Sequence, residues 1–337
     1  MQQANPILVE ISRGPAVESI HRGSAVVVDR RGRVVRFWGD MNAPVYPRSA
    51  VKPLQAIPML RTGAARALSV SEEEIALACA SHSGEAVHTS RVRRWLSRLG
   101  YSPGDLECGA HPPTDPSARR ELYRRGGEPT ALHNNCSGKH AGFLTICRHL
   151  GFPPRGYIDA GHPVQELVRD ALEELTGCPL RSAPRGVDGC GIPVFAIPLR
   201  GLAGAMARLA DPQDLDDATA EAAEAIRRAM TSHPYLVAGR DRFCTRVMET
   251  LTPRVVVKSG AEGTFCAALP DQGLGIALKI DDGASRASDV AAGAILRRLG
   301  AIDESQFAAL RSTLEPDVDN VAGLKVGTMR PASALTD

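Results

Sequence analysis

Ser49 and Lys52 stand three residues apart in Arg48-Ser49-Ala50-Val51-Lys52-Pro53. On a helix, positions three apart share one face, so this hydroxyl and this amine can meet. A serine needs a neighbouring base to act as a nucleophile near neutral pH. A lysine can be that base when burial or nearby positive charge lowers its pKa. Of the 40 basic residues only five are lysines: Lys52, Lys139, Lys258, Lys279 and Lys325. Arginine cannot give up its proton in a protein and lysine can, so each lysine in this arginine-rich chain is a candidate for proton chemistry. The plainer reading is a solvated lysine on a surface helix, since Ser-x-x-Lys is a short pattern.

A second hydroxyl–amine candidate lies far along the chain. Lys258-Ser259-Gly260-Ala261 ends an apolar run, Val255-Val256-Val257. Penicillin-binding proteins and class A β-lactamases combine a Ser-x-x-Lys helix, a serine-bearing turn and a late Lys-Thr-Gly strand. The same order occurs here as Ser49/Lys52, Ser81-His82-Ser83 and Lys258-Ser259-Gly260. Backbone N–H groups of Ser49 and Ala261 would then face the developing oxyanion. His82 is a candidate substrate contact or a structural histidine.

A third constellation is Asn135-Cys136-Ser137-Gly138-Lys139-His140 with Asp188-Gly189-Cys190. Two thiols, an amine and a carboxylate on glycine-rich turns could converge on a soft metal ion. Spacing leaves a second reading open, in which Cys136 and Cys190 are small buried apolar residues. Gly138-Lys139 is no phosphate loop, because His140 stands where that motif needs Ser or Thr.

The elements that must carry these groups are legible in outline. Ser24–Val28 and Arg33–Trp38, joined by Asp29-Arg30-Arg31-Gly32, read as a hairpin. Ser49–Leu60 has helical spacing, with Pro58 expected to bend or end it. Ser71 with Glu74 forms a capping box for a helix through Cys79. Val87–Leu99, Ala141–Leu150, a stretch starting at Pro163 and Leu215–Met230 read as further helices. The stretch Cys108–Thr130 reads as loop. Arg254–Lys258, Thr264–Leu269 and Gly273–Ile280 read as adjacent antiparallel strands, with a helix at Ala287–Leu299 packed on them.

Length, charge and composition bound the rest. A chain of 337 residues allows one large α/β unit or two domains. A net charge of +2 and 4% aromatic residues give no basis for a nucleic-acid surface or an anionic membrane. Met1–Gly14 does not read as a signal peptide, and no run of 18 apolar residues occurs. Eight cysteines are too sparse for a disulfide scaffold and read as thiols in a reducing cytosol.

With these motifs assembled, the chain resembles the Rhizobium etli-type asparaginases, the asparaginase II or class 3 family. The matching pieces are Arg48–Pro53, Cys79–Glu85, Cys108–Pro112, Asn135–His140, Asp188–Cys190, His233-Pro234 with Arg242–Thr245, and Lys258–Ala261. The resemblance implies a serine β-lactamase or penicillin-binding-protein-like α/β fold, an antiparallel sheet flanked by helices with a mainly helical second lobe. One domain is expected, with a sheet lobe at about 7–60 plus 250–330 and a helical lobe at about 61–249. It implies hydrolysis of L-asparagine to L-aspartate and ammonia by two Ser–Lys tandems, Ser49 with Lys52 and Ser81 with Lys258. It implies a zinc ion on Cys136, Lys139 and Cys190, and a cytoplasmic homodimer. Arg48 and Asp188 are the candidates for holding the substrate's charged ends, with His82, Ser259, Gly260 and Ala261 around it. A glutaminase or β-lactamase-like amidohydrolase, and a non-catalytic zinc-binding protein, are the alternatives.

Overall fold

A computed structural model describes residues 4–336. The chain forms two compact units. The first takes the chain up to Ala50, then Ile197–Asp211, then everything from Arg246 onward. The second takes Val51–Ala196 and Pro212–Thr245.

The first unit is built on an antiparallel sheet. Its strands run, across the sheet, Asp317–Asp319, Lys325–Pro331, Ile7–Arg13, Ala16–Asp29, Leu274–Ile280, Thr264–Leu269 and Val256–Ser259, with Val34–Trp38 also paired to Ala16–Asp29. The hairpin read from the sequence is present: Val27 lies opposite Arg36 and Ala25 opposite Trp38. The three late strands pair as expected, with Lys258 opposite Cys266 and Ala277 opposite Cys266 on the other side. Gly23–Val28 and Thr264–Leu269 are buried without alternation, so both sheet faces are covered there. On one face lies the helix Leu199–Ala210, which approaches so closely at Gly275 that a Cβ there would sit 2.0 Å from the Ala203 oxygen. The helix Ser285–Arg298 packs on the same sheet.

The second unit is mainly helical. Its centre is Ser137–Leu150, whose residues from Ser137 to Cys147 are all buried. Around it pack Glu72–Ala78, Ala64–Ala67, Ile57–Arg61, Ala86–Arg98 and Pro163–Thr176. Gly138 makes the first of these contacts possible, since a Cβ there would meet the Leu77 oxygen at 2.2 Å. The Ser71–Glu74 capping box is formed in both directions.

Four features depart from the sequence reading. The Leu199–Ala210 helix, placed by number in the helical lobe, belongs to the sheet unit, and Val51–Leu60 belongs to the helical one. The Ser49–Leu60 helix is three short pieces, Arg48–Val51, Lys52–Gln55 and Ile57–Arg61. Pro58 sits in the first turn of the last piece, where its missing N–H costs nothing, so the break falls ahead of it at Ala56. The loop expected over Cys108–Thr130 contains a helix, Pro116–Arg124. Asp115 caps it and Glu121 pairs with Arg124 and Arg125, so local interactions sustain a helix with no buried residue. The strands Ile7–Arg13 and Lys325–Pro331 were not marked by periodicity at all.

Candidate active site

In the sheet unit, the serine of Ser-x-x-Lys lies in the 3₁₀ turn Arg48–Val51. Arg48 takes φ +52°, a left-handed value that a side chain tolerates only at a cost of order 1–3 kcal/mol. The turn is closed by Ala50 N–H donating to Pro47 O at 3.1 Å. Pro47 and Ala50 are buried, while Arg48 and Ser49 between them are half-exposed, so the strained backbone presents Ser49 outward. Against this turn lies the end of the strand Val256–Ser259. A Cβ on Gly260 would meet Pro47 O at 2.8 Å and Ala50 N at 3.1 Å. The late Lys-Ser-Gly stretch therefore borders the Ser49 turn, as the motif order predicts. Lys258 is 1% exposed and its amine donates to Ser259 O at 2.7 Å. Gly260 N–H is committed to Thr264 O at 2.7 Å, and Ala261 is exposed beyond it.

In the helical unit, Lys52 is fully buried. Its amine lies 3.0 Å from the Ser81 hydroxyl, donates to Ala80 O, and is 3.5 Å from Asn135 O. The partner of this amine that sequence reading did not assign is thus Ser81. Ser81 N–H donates to Val237 O at 2.9 Å, which fixes its backbone.

His82 is fully buried. Its Nδ1 accepts from Gly84 N–H at 3.1 Å, so its Nε2–H donates to Ser137 Oγ at 2.9 Å, and Ser137 passes its own proton to Leu132 O. Burial, then the nearby His88 and Lys52, hold this imidazole well below the usual histidine range. Both nitrogens are used within the protein, which fits the structural alternative for His82. It ties the Ser81 turn to the Cys136 loop.

The third constellation does converge. Lys139 and Cys190 are buried, with Lys139 Nζ 3.0 Å from Cys190 Sγ. A hydrogen bond from Cys136 and the charge of Lys139 pull the Cys190 thiol down to about 5, against burial. The same hydrogen bond, with burial, pushes Cys136 up to about 12. Burial opposes the Lys139 charge, but Cys190, Cys136 and Asp188 outweigh it and hold the amine above the usual lysine range. Asp188, in the turn between Arg185–Val187 and Pro193–Phe195, has its Oδ2 3.6 Å from Cys190 Sγ. Its carboxylate therefore faces the thiol cluster. Among the described residues no group of three or more His, Cys, Asp or Glu side chains could hold a metal ion. A metal here depends on Lys139 as third donor.

Several supporting residues were not singled out by sequence. His111 accepts from Asn135 N–H at 3.0 Å, and Asn134 spans Cys108 O and Cys136 N–H. Cys108 is a third buried thiol beside the pair, pushed up to about 12 by burial. The Cys108–Pro112 motif braces the Asn135–Cys136 loop.

Solved structures similar to the chain include a β-lactamase from Mycobacterium bovis, 15% identical with a TM-score of 0.45 over 82% of this chain and 94% of that one. Simvastatin synthase from Aspergillus terreus is 12% identical, with a TM-score of 0.39 over 79% and 90%. Both likenesses are distant. No curated protein matches the sequence. Among the described residues no helix is long and apolar enough to cross a membrane. The model of the L-asparaginase II family matches residues 9–331, which takes in each of the three constellations. The chain therefore belongs to the L-asparaginase II family and is an amidohydrolase.

Proposed function

We propose that the protein is an L-asparaginase that hydrolyses the side-chain amide of L-asparagine through an acyl-enzyme. The observation that supports Ser–Lys chemistry, whichever serine takes the acyl group, is the environment of Lys52: a buried amine with the Ser81 hydroxyl at 3.0 Å and two backbone carbonyls in reach. A neutral amine has two N–H donors and one lone pair. Ala80 O and Asn135 O can take the two donors, which leaves the lone pair for a hydroxyl proton. Lys52 is then the general base.

Ser49 is the nucleophile in this reading. Its Oγ bonds to the amide carbon as the proton passes to Lys52. The oxyanion is met by the N–H groups of Ser49 and Ala261. Ser81 and Lys258 deliver a proton to the leaving nitrogen, the C–N bond breaks, and ammonia departs. Water then splits the β-aspartyl ester by the reverse route, returning the Ser49 hydroxyl. Arg48 suits the α-carboxylate and Asp188 the α-ammonium, with Ser259 and Gly260 bordering the substrate. Two charged anchors on a small polar molecule supply orientation, a large share of a barrier reduction.

The Lys52–Ser81 contact favours a second reading, in which Ser81 carries the acyl group. One experiment separates them. The enzyme is incubated with L-Asn, L-Gln, β-aspartyl hydroxamate and a chromogenic β-lactam, and ammonia or colour is read. A diazoketone analogue of asparagine then labels the nucleophile for peptide mass spectrometry. Ammonia from L-Asn and label on Ser49 are expected. Label on Ser81 moves the nucleophile; turnover of the β-lactam alone replaces the substrate class; no turnover at all leaves a non-catalytic protein.

Zinc belongs to the same proposal. Cys136, Cys190 and Lys139 form a soft three-donor set, with the Cys190 pKa drawn down by its hydrogen bond from Cys136 and the charge of Lys139. A bound zinc ion would supply the charge that keeps both thiols ionised and Lys139 neutral. Lys139 would be its amine donor at the start of the helix, and Asp188, 3.6 Å from Cys190 Sγ, would border the site. Metal analysis of the purified protein and of Cys190→Ser tests the set: near-stoichiometric zinc lost in the variant is expected, and equal content sinks it. A cytoplasmic homodimer completes the reading; none of the eight cysteines is in a disulfide, as a reducing compartment would keep them. Light scattering on the eluting protein decides the dimer.

A further inference from the structure

Glu85 has no part in the chemistry above, yet its carboxylate is among the most fully engaged in the helical unit. Its residue is 7% exposed. Oε1 accepts from the Ser83 hydroxyl at 2.6 Å and from Arg240 N–H at 3.2 Å. Oε2 accepts from the Tyr235 hydroxyl at 2.5 Å, with the Arg240 guanidinium 3.7 Å away. Burial alone would raise this carboxyl, but the Ser83, Tyr235 and Arg240 donors hold it below the usual range. Glu85 is also the N-cap residue of Ala86–Arg98 and makes no side-chain cap there. The carboxylate has been turned away from the local use that a helix start offers it.

What it grips instead is the turn that carries Ser81. Gly239 takes φ +110°, and a Cβ there would fall 2.0 Å from Ser83 Oγ and 2.9 Å from Glu85 Oε1. The backbone at Gly239 is therefore pressed against the Ser83–Glu85 hydrogen bond. Thr245 holds that peptide by donating to Gly239 O at 2.8 Å. From the same segment Val237 O receives Ser81 N–H. The far side of the turn is closed as well. Thr114 N–H and Asp115 N–H donate to Ser83 O at 2.9 and 3.1 Å, and a Cβ on Gly84 would sit 3.0 Å from Pro113 Cα.

We propose that Glu85 is a positioning residue: its carboxylate clamps the Ala80–Glu85 turn to the Tyr235–Arg240 segment and so sets the Ser81 hydroxyl against the Lys52 amine. This rests on the reading of Ser81 as a member of the proton relay. The clamp acts through Ser83, two residues from Ser81, and through the Ser81–Val237 bond. Glu85 itself touches no reacting atom.

The test is Glu85→Gln, with Gly239→Ala as a second variant that strikes the same bond from the other side. Each is assayed for L-Asn turnover, and for amide hydrogen exchange by mass spectrometry without substrate. A loosened turn lowers kcat by roughly 10- to 100-fold, the scale of a sub-ångström misplacement, with KM within about threefold. Exchange quickens in peptides covering 80–85 and 235–240 and stays unchanged elsewhere. Should Glu85→Gln fold poorly, Tyr235→Phe removes one of the three donors and gives the same pattern at smaller amplitude. Unchanged kcat and exchange in folded variants overturn the proposal, as does faster exchange spread evenly over the helical unit. If the unaltered protein releases no ammonia, the asparaginase reading fails, and the exchange pattern alone still decides the clamp.

Discussion

Replacing Gly260 by alanine tests whether the late strand fixes the Ser49 turn. Gly260 has no left-handed φ, so alanine is conformationally allowed there, and restricting the unfolded chain should stabilise by about 0.4–1 kcal/mol. Against this, the new methyl would lie 2.8 Å from Pro47 O, 3.1 Å from Ala50 N and 3.3 Å from Ala50 Cβ. Two of these are backbone atoms and cannot swing aside. Ordinary contact begins near 3.4 Å, so Pro47 O must retreat by about 0.6 Å. Such overpacking costs about 1–3 kcal/mol, which leaves a net loss of up to about 2.6 kcal/mol. The displaced atoms flank Ser49 on both sides. A shift of this size at a nucleophile lowers turnover at least about tenfold, given that 1 Å costs about 10². Urea unfolding and ammonia release on the same preparation read both quantities. A variant more stable than the parent, with full activity, would refute the claim that this strand end presses on the turn.

Three further outcomes follow from the same geometry. In metal-free protein, the ultraviolet thiolate band should persist as pH falls and vanish near 5, and Cys190→Ser should remove that component; a band lost by pH 7 contradicts the buried ion pair. Because the folded-state value lies below the unfolded one, the Cys190 thiolate stabilises the metal-free fold above the ordinary thiol range. That contribution fades between about pH 9 and 5. Gly138→Ala drives a methyl to 2.2 Å from a backbone oxygen of Glu72–Ala78, and a loss of about 3 kcal/mol in denaturant unfolding is expected. Ser71→Ala removes one half of a capping box and should cost about 1 kcal/mol with KM unmoved, a result that thermal unfolding and steady-state kinetics check together.

The sequence displayed the parts of this protein whose signal is local. Ser71 and Glu74 announce their helix because a cap is written in four residues. Arg254–Lys258 and Thr264–Leu269 read as strands because buried β-branched and apolar runs bounded by turn residues have few other uses. Ile7–Arg13 was silent because its burial only partly alternates. The helix Pro116–Arg124 hid in an arginine- and glycine-rich stretch because it buries nothing and survives on a cap and surface pairs. At the site, the lysine scarcity drew the eye to Lys52, Lys139 and Lys258, all of which are buried. It could not say which hydroxyl each would meet, and Lys52 reaches Ser81. Glu85 stood inside the Cys79–Glu85 motif, but its pairing with Gly239 left no trace, since 154 positions separate the carboxylate from the backbone it needs, and no periodicity spans that distance.

The order of strands has a consequence for how the molecule is made. Ser12 and Thr328, hydrogen-bonded neighbours in the sheet, are 316 positions apart. On a ribosome the strand Ile7–Arg13 must wait, with one margin open, until Lys325–Pro331 has emerged. During that interval it is a ready template for a foreign strand. The charged residues at Glu10 and Arg13 along it, and the early hairpin that covers its other margin, are what the nascent chain has to keep it from pairing too soon.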